Sequence, residues 1–200
     1  MATDGQIAPT FNIANILTVI RLILVPVFVW LYLQESTAMR FVAAAVFSIA
    51  AITDQLDGHL ARSRGLVTDF GKILDPIADK ALVISGLLLL SWDGFVPWWV
   101  TILILVRELG ITLLRMAMVR RAVMAASQGG KIKTTLQMIF LIGMLVPWHG
   151  FLPGAFADVL LLILEAVMYL ALAVTLVTGV MYIRDAWVIA HRPETEEMQA

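Results

Sequence analysis

The 200-residue sequence contains no cysteine and only three histidines. A disulfide scaffold, a thiol nucleophile and a thiolate zinc site are thereby excluded. Charge is also scarce: Asp, Glu, Lys and Arg make up 14% of the chain, against about a quarter in ordinary soluble domains. A net formal charge of −1 offers no footprint for nucleic acid. What takes the place of charge is apolar, with 60% hydrophobic residues and a mean hydropathy of +0.90. Such a chain has ample surface to bury and is not disordered. It reads as a polytopic membrane protein.

Backbone polar groups in a bilayer must be satisfied within their own segment, so spans are expected as helices of about 20 apolar residues. Six stretches qualify, at residues 13–33, 41–61, 77–92, 97–119, 132–148 and 156–188, the third short and the last long. The first is not read as a cleavable signal, because no basic region precedes it, Arg21 lies inside it and no small-residue cleavage site follows Leu33. Lys and Arg gather between spans two and three, between spans four and five, and after span six, so both termini are expected on the cytoplasmic side. Trp92, Trp98, Trp99 and Trp148 mark the outer boundary. The expected organisation is a cytoplasmic segment at 1–12, one six-helix domain at 13–190 and a polar tail at 191–200 carrying Glu194, Glu196 and Glu197.

The densest acidic run starts at Asp54 and reads D-Q-L-D-G-H-L-A-R-S-R-G-L-V-T-D-F-G-K-I-L-D-P-I-A-D-K. Asp54 and Asp57 stand three apart, and Asp75 and Asp79 four apart, so each pair shares a helix face. Carboxylates near a membrane segment are costly and usually functional. Left together they raise one another's pKa, and a divalent cation relieves the repulsion. An all-oxygen set favours Mg²⁺, Mn²⁺ or Ca²⁺, with Mg²⁺ commonly shared between carboxylates and a substrate phosphate. Gly58 and Ala61 leave the neighbouring helix face bare, Gly71 does the same from the connecting turn, and Arg62 offers a planar cation for a phosphate oxygen or a carboxylate. The bland alternatives are a helix-end pair balanced by Arg62 and Arg64, and an Asp75 that caps the third helix ahead of Pro76. Asp69 reads as a turn residue, and His59, His149 and His191 as interfacial or structural.

Asp54, Asp57, Gly58, Ala61, Arg62, Gly71, Asp75 and Asp79 match the pattern D-x2-D-G-x2-A-R-x8-G-x3-D-x3-D, eight fixed residues over twenty-six positions. In this the chain resembles the CDP-alcohol phosphotransferases. N-I-L-T-V-I-R from Asn15, T-D-F-G-K-I-L-D-P-I-A-D-K from Thr68 and G-K-I-K-T-T-L-Q from Gly130 are similar to the glycerophosphate branch of that family, and the likeness covers most of residues 11–140. The resemblance implies a six-helix, all-α membrane homodimer with a cytoplasm-facing polar cavity. It implies CDP-diacylglycerol as donor, an acceptor hydroxyl attacking the lipid-bearing phosphorus, and CMP as leaving group. By the same resemblance Asp54, Asp57, Asp75 and Asp79 hold Mg²⁺ or Mn²⁺, as one ion or two, and Asp79 is also the general base. Asp57, Gly58, Ala61, Arg62, Thr68 and Gly71 are the implied nucleotide contacts.

Four further cations stand apart from the signature. Arg107 and Arg115 are eight residues apart, on one face of the fourth helix, about 12 Å apart along it. Arg107 lies inside an apolar stretch and needs a wet cavity, Glu108 or another helix's acid as partner. Lys131 and Lys133 follow Gly129 and Gly130, where the chain is expected to bend; a separation of two places them on one face only if the first turn of helix five is unwound. Arg120 and Arg121 read as topology anchors. For Arg107, Arg115, Lys131 and Lys133 the resemblance implies a pocket for the phosphate of glycerol 3-phosphate. Sister activities with inositol phosphate or phosphatidylglycerol (a cardiolipin synthase) as acceptor, and more remotely a cation transporter, are the competing readings. Glu165, in the middle of the last span, needs a partner that the sequence does not name.

Overall fold

A computed structural model describes the backbone of residues 13–64, 69–118 and 128–190, and the side chains of 16–53, 77–78, 80–116 and 129–189. The described chain is all-helical: α1 (Ile13–Tyr32), α2 (Thr37–Arg64), α3 (Asp69–Trp92), α4 (Trp98–Met118), α5 (Gln128–Leu145) and α6 (Gly154–Ala190), with a single 3-10 turn at Trp148–Gly150. The chain forms two compact units, residues 1–95 with 141–158, and residues 96–140 with 159–200. The expected terminal segments, 1–12 and 191–200, lie outside the described residues.

Several helix boundaries differ from the expected ones, and α2 runs from Thr37 to Arg64 where 41–61 was expected. α3 begins at Asp69, so the expected cap residue Asp75 and Pro76 lie inside the helix and Asp69, expected in a turn, is its first residue. α5 begins at Gln128 and takes Gly129 and Gly130 into its first turn, where a bend was expected. It stops at Leu145 because Pro147 restricts the residue before it to extended backbone, and Trp148 falls in the 3-10 turn instead of the helix.

In the first unit α1 packs on both α2 and α3. Its buried face carries Thr18, Arg21, Phe28 and Tyr32, at helical spacing. The Phe28 ring meets Phe47 of α2 with centroids 5.1 Å apart, and the small buried residues Ala43, Ala44, Ala50 and Ala51 let the helices close around it. Gly86 of α3 completes the pocket: a Cβ there would stand 2.9 Å from Cε2 of Phe47.

The C-terminal ends of α1 and α3 and the N-terminal end of α2 are tied by polar contacts. α3 ends in a Schellman arrangement, with Gly94 at φ 82° and with the Phe95 and Gly94 amides donating to the carbonyls of Leu90 and Ser91. That turn presents Asp93, whose Oδ2 accepts from the Tyr32 hydroxyl at 2.9 Å and pairs with Arg40 at 2.7 Å. The Arg40 guanidinium also lies 4.9 Å from the Tyr32 ring centroid. In the same unit Trp148 Nε1 donates to the Gly143 carbonyl at 2.7 Å, and His149 meets Asp158 at the surface at 2.9 Å.

The second unit is built from α4, the first part of α5 and most of α6. Val100, Ile104 and Ile111 of α4 and Leu164, Met168, Ala171 and Leu172 of α6 are buried, and Trp99 stacks on Tyr169 with centroids 6.1 Å apart. Val106, Leu113 and Met116 of α4 and Leu162, Val177 and Val180 of α6 stay exposed. Gly129–Gly150 and Gly154–Ile189 are long and apolar enough to cross a membrane, and Ile16–Tyr32, Thr37–Thr53 and Lys80–Trp92 are shorter apolar helices.

Gly86→Ala is expected to lower stability by about 1–3 kcal/mol, because a buried ring must move. Gly110→Ala, in a helix with nothing within 4 Å of the added Cβ, should be neutral or gain up to about 1 kcal/mol from helix propensity. Unfolding temperatures of the two purified variants check this, and equal effects would contradict the packing assigned to Gly86.

Candidate functional site

The signature residues fall at the ends of two consecutive helices. Asp54, Asp57, Gly58, Ala61 and Arg62 occupy the last three turns of α2, and Gly71, Asp75 and Asp79 the first three turns of α3. Their side chains lie outside the described residues, and Thr68 lies outside them altogether. Helix register still locates their positions. Seven residues, or two turns, separate Asp54 from the buried Phe47 along α2. Position 79 follows the fully buried Ala78 and precedes Leu82 on α3. Among the described residues no three Asp, Glu or His side chains gather. Four carboxylates and no sulfur or imidazole form a hard donor set that suits Mg²⁺ or Mn²⁺.

Arg21 has a place in the same register. α1 and α2 are joined by only four residues and run antiparallel. From the Phe28–Phe47 contact, seven residues along each helix toward the signature end lead to Arg21 on α1 and to position 54 on α2. Arg21 is only 1% exposed. The sequence identified it as an intrasegment charge but could not show that it is buried, because burial depends on the small residues of α2.

The second unit holds a cluster of buried charges. Glu108 of α4 and Lys133 of α5 are both buried, and Lys133 Nζ pairs with Glu108 Oε1. Arg107 NH1 donates to the same oxygen at 3.1 Å. The rest of that guanidinium is held by α6, with Nε donating to the Thr175 carbonyl at 3.1 Å and NH2 to Thr178 Oγ1 at 2.8 Å. Gly179 makes room for this, since a Cβ there would lie 3.1 Å from Arg107 Cγ. Two turns along α4, Arg115 donates to the Tyr182 hydroxyl at 2.6 Å and lies 4.6 Å from that ring's centroid. Arg115 Nε is buried with no hydrogen-bond partner among the described residues.

Of the four cations read from the sequence, Arg107, Arg115 and Lys133 thus lie in one polar interior of α4, α5 and α6. Lys131 does not join them: α5 is regular from Gln128, which leaves Lys131 exposed and Lys133 buried on different faces. Thr175, Thr178, Gly179 and Tyr182 carried no sequence signal of their own beyond being polar or small positions in apolar helices, whereas Gln137 closes the G-K-I-K-T-T-L-Q stretch but carried no role there. Glu165 is exposed on α6, and among the described residues it makes no ion pair or hydrogen bond.

The model of the CDP-alcohol phosphatidyltransferase family matches residues 11–181. The chain is 47% identical over 188 residues to a Mycobacterium tuberculosis protein named probable phosphatidylglycerophosphate synthase, covering 91% of this chain and 86% of that one. It is 39% identical over 166 residues to the Escherichia coli protein named CDP-diacylglycerol–glycerol-3-phosphate 3-phosphatidyltransferase, covering 80% and 90%.

Removing one member of a buried charge cluster leaves the others uncompensated. Glu108→Gln should therefore cost roughly 3–5 kcal/mol of stability. Combining it with Lys133→Met, which removes one of the stranded cations, should restore more than half of the loss. Denaturant unfolding of the single and double variants measures the coupling, and strictly additive losses would contradict the pairing.

Proposed function

Because the chain belongs to the CDP-alcohol phosphatidyltransferase family, we propose that it transfers the phosphatidyl group of CDP-diacylglycerol to glycerol 3-phosphate, giving phosphatidylglycerophosphate and CMP. The observation that carries this reading is the complete eight-residue signature at the adjoining ends of α2 and α3. The relatives' names, at 47% and 39% identity, support the choice of acceptor. The apolar helices and the exposed apolar faces of α4 and α6 support a multi-pass membrane protein, and the placement of Lys and Arg in the sequence supports a cytoplasmic side for both termini. A homodimer is the expected assembly.

In this reading Asp54, Asp57, Asp75 and Asp79 hold Mg²⁺ or Mn²⁺. The bound ion supplies positive charge against the donor pyrophosphate and the departing CMP phosphate. Gly58 and Ala61 carry no bulk that would keep the nucleotide from the α2 backbone, and Gly71 does the same on α3. Arg62 and Thr68 offer a guanidinium and a hydroxyl to its phosphates, beside Asp57. Asp79 accepts the proton of the acceptor hydroxyl as its oxygen bonds to the lipid-bearing phosphorus and the phosphorus–oxygen bond to CMP breaks.

The acceptor's phosphate is assigned to Arg107, Arg115 and Lys133. Three fixed cations and the single carboxylate of Glu108 leave this cluster a net charge of +2, which matches a phosphate dianion. The unpartnered Nε of Arg115 supplies a further donor, and charge-assisted donors offset the hydration that a buried phosphate gives up. Lys131, exposed at the start of α5, adds only to the attraction at a distance.

Release of CMP from CDP-diacylglycerol by the reconstituted protein tests the reading directly. Glycerol 3-phosphate should outcompete both inositol phosphate and phosphatidylglycerol, and turnover should vanish on chelation and return with Mg²⁺ or Mn²⁺. Arg115→Ala should raise the KM for glycerol 3-phosphate at least about tenfold, the loss of one charged hydrogen bond, with little change in that for CDP-diacylglycerol. An unchanged KM would overturn the pocket, and full activity in chelator would overturn the metal.

Asp79→Asn should lower kcat by about 10² to 10⁴, the usual contribution of a general base. Nucleotide binding, followed in parallel, should persist. Near-normal turnover in correctly assembled variant protein would remove Asp79 from that role.

A further inference from the structure

Two polar side chains in the second unit are left over from the charge cluster, the Thr175 hydroxyl and the Gln137 amide, and the amide is the larger polar group. Gln137 of α5 is 2% exposed, and its Nε2 has no hydrogen-bond partner among the described residues. Buried amides in folded proteins are almost always satisfied, by protein, by water or by a ligand. Gln137 stands four residues beyond Lys133, on the same buried face of α5, about 6 Å along the helix. The next buried residues along α5 are Phe140 and Leu141.

Resting on the reading of glycerol 3-phosphate as acceptor, we propose that Gln137 reads the acceptor's second hydroxyl and so determines specificity. If Lys133 and its neighbours take the phosphate, what remains of the molecule is a three-carbon chain with two neutral hydroxyls. A hydroxyl both donates and accepts, and so does a carboxamide, so one side chain can meet the hydroxyl in both senses. One helical turn matches the step from a phosphate to the middle hydroxyl of that chain. A cation in place of Gln137 would instead compete for the phosphate, and an apolar residue would accept a chain with no middle hydroxyl.

The test compares two acceptors, glycerol 3-phosphate and 3-hydroxypropyl phosphate, which keeps the phosphate and the attacking primary hydroxyl but lacks the middle one. The wild type should prefer glycerol 3-phosphate by about tenfold to a hundredfold in kcat/KM, the worth of one buried hydrogen bond. Gln137→Leu should shrink that preference to within about threefold, with the loss falling on glycerol 3-phosphate and the KM for CDP-diacylglycerol unchanged. Its unfolding temperature without substrate should hold or rise, because the variant removes a buried amide with no partner; Gln137→Met provides the same comparison in a side chain of closer shape. A preference unchanged in both variants, or an equal loss on both acceptors as for a merely structural amide, would overturn the assignment to Gln137 alone. A wild type that turns over neither acceptor would overturn the reaction reading and this assignment with it.

Discussion

Glu108 is the contact on which the polar interior of α4, α5 and α6 depends. One carboxylate oxygen receives both Lys133 and Arg107, and without it two cations would face each other among apolar helices. Burial makes such repulsion expensive, since little water remains to screen it. With Glu108 in place the cluster is compensated enough to fold yet still carries surplus positive charge through Arg115. The proposed phosphate pocket would need this imbalance: full neutrality would leave nothing for an anion, and no carboxylate at all would leave the cations to repel one another.

The first unit uses an acid differently. Asp93, presented by the left-handed turn at Gly94, fastens Tyr32 and Arg40 at one shared end of α1, α2 and α3. From there the Phe28–Phe47 contact and the alanine-lined face of α2 carry the register inward, to Arg21 on one helix and to the signature positions on the others. Regular helices transmit position along their length at 1.5 Å per residue. A polar clasp at one end and close packing in the middle can therefore set where carboxylates stand at the other end.

The sequence was a good guide wherever the chemistry is local. Spacings of three and four located the paired aspartates on helix faces, and the signature spanned positions that fall within two consecutive helices. The adjacency of Arg107 and Glu108 made their contact one of the named options, and the structure shows it. Helix starts were harder. Gly129 and Gly130 look like a bend by propensity, and Pro76 looks like a first-turn residue, but both lie within helices whose stability comes from packing more than from propensity. The facing of Lys131 and Lys133 followed from that start and could not be read without it. The burial of Thr175, and of Gln137 at the end of the stretch from Gly130, was illegible for another reason: a polar residue in an apolar helix reads alike whether it faces a partner, a ligand or solvent, and only the burial of its neighbours decides.

The central claim is that an acceptor hydroxyl of glycerol 3-phosphate displaces CMP at the phosphorus that carries the lipid. Glycerol 3-phosphate labelled with ¹⁸O in its free primary hydroxyl follows that bond directly. The account predicts that the label appears in the lipid product, phosphatidylglycerophosphate, and that the released CMP is unlabelled. Label in the released nucleotide, or phosphatidic acid as the lipid product, would contradict it.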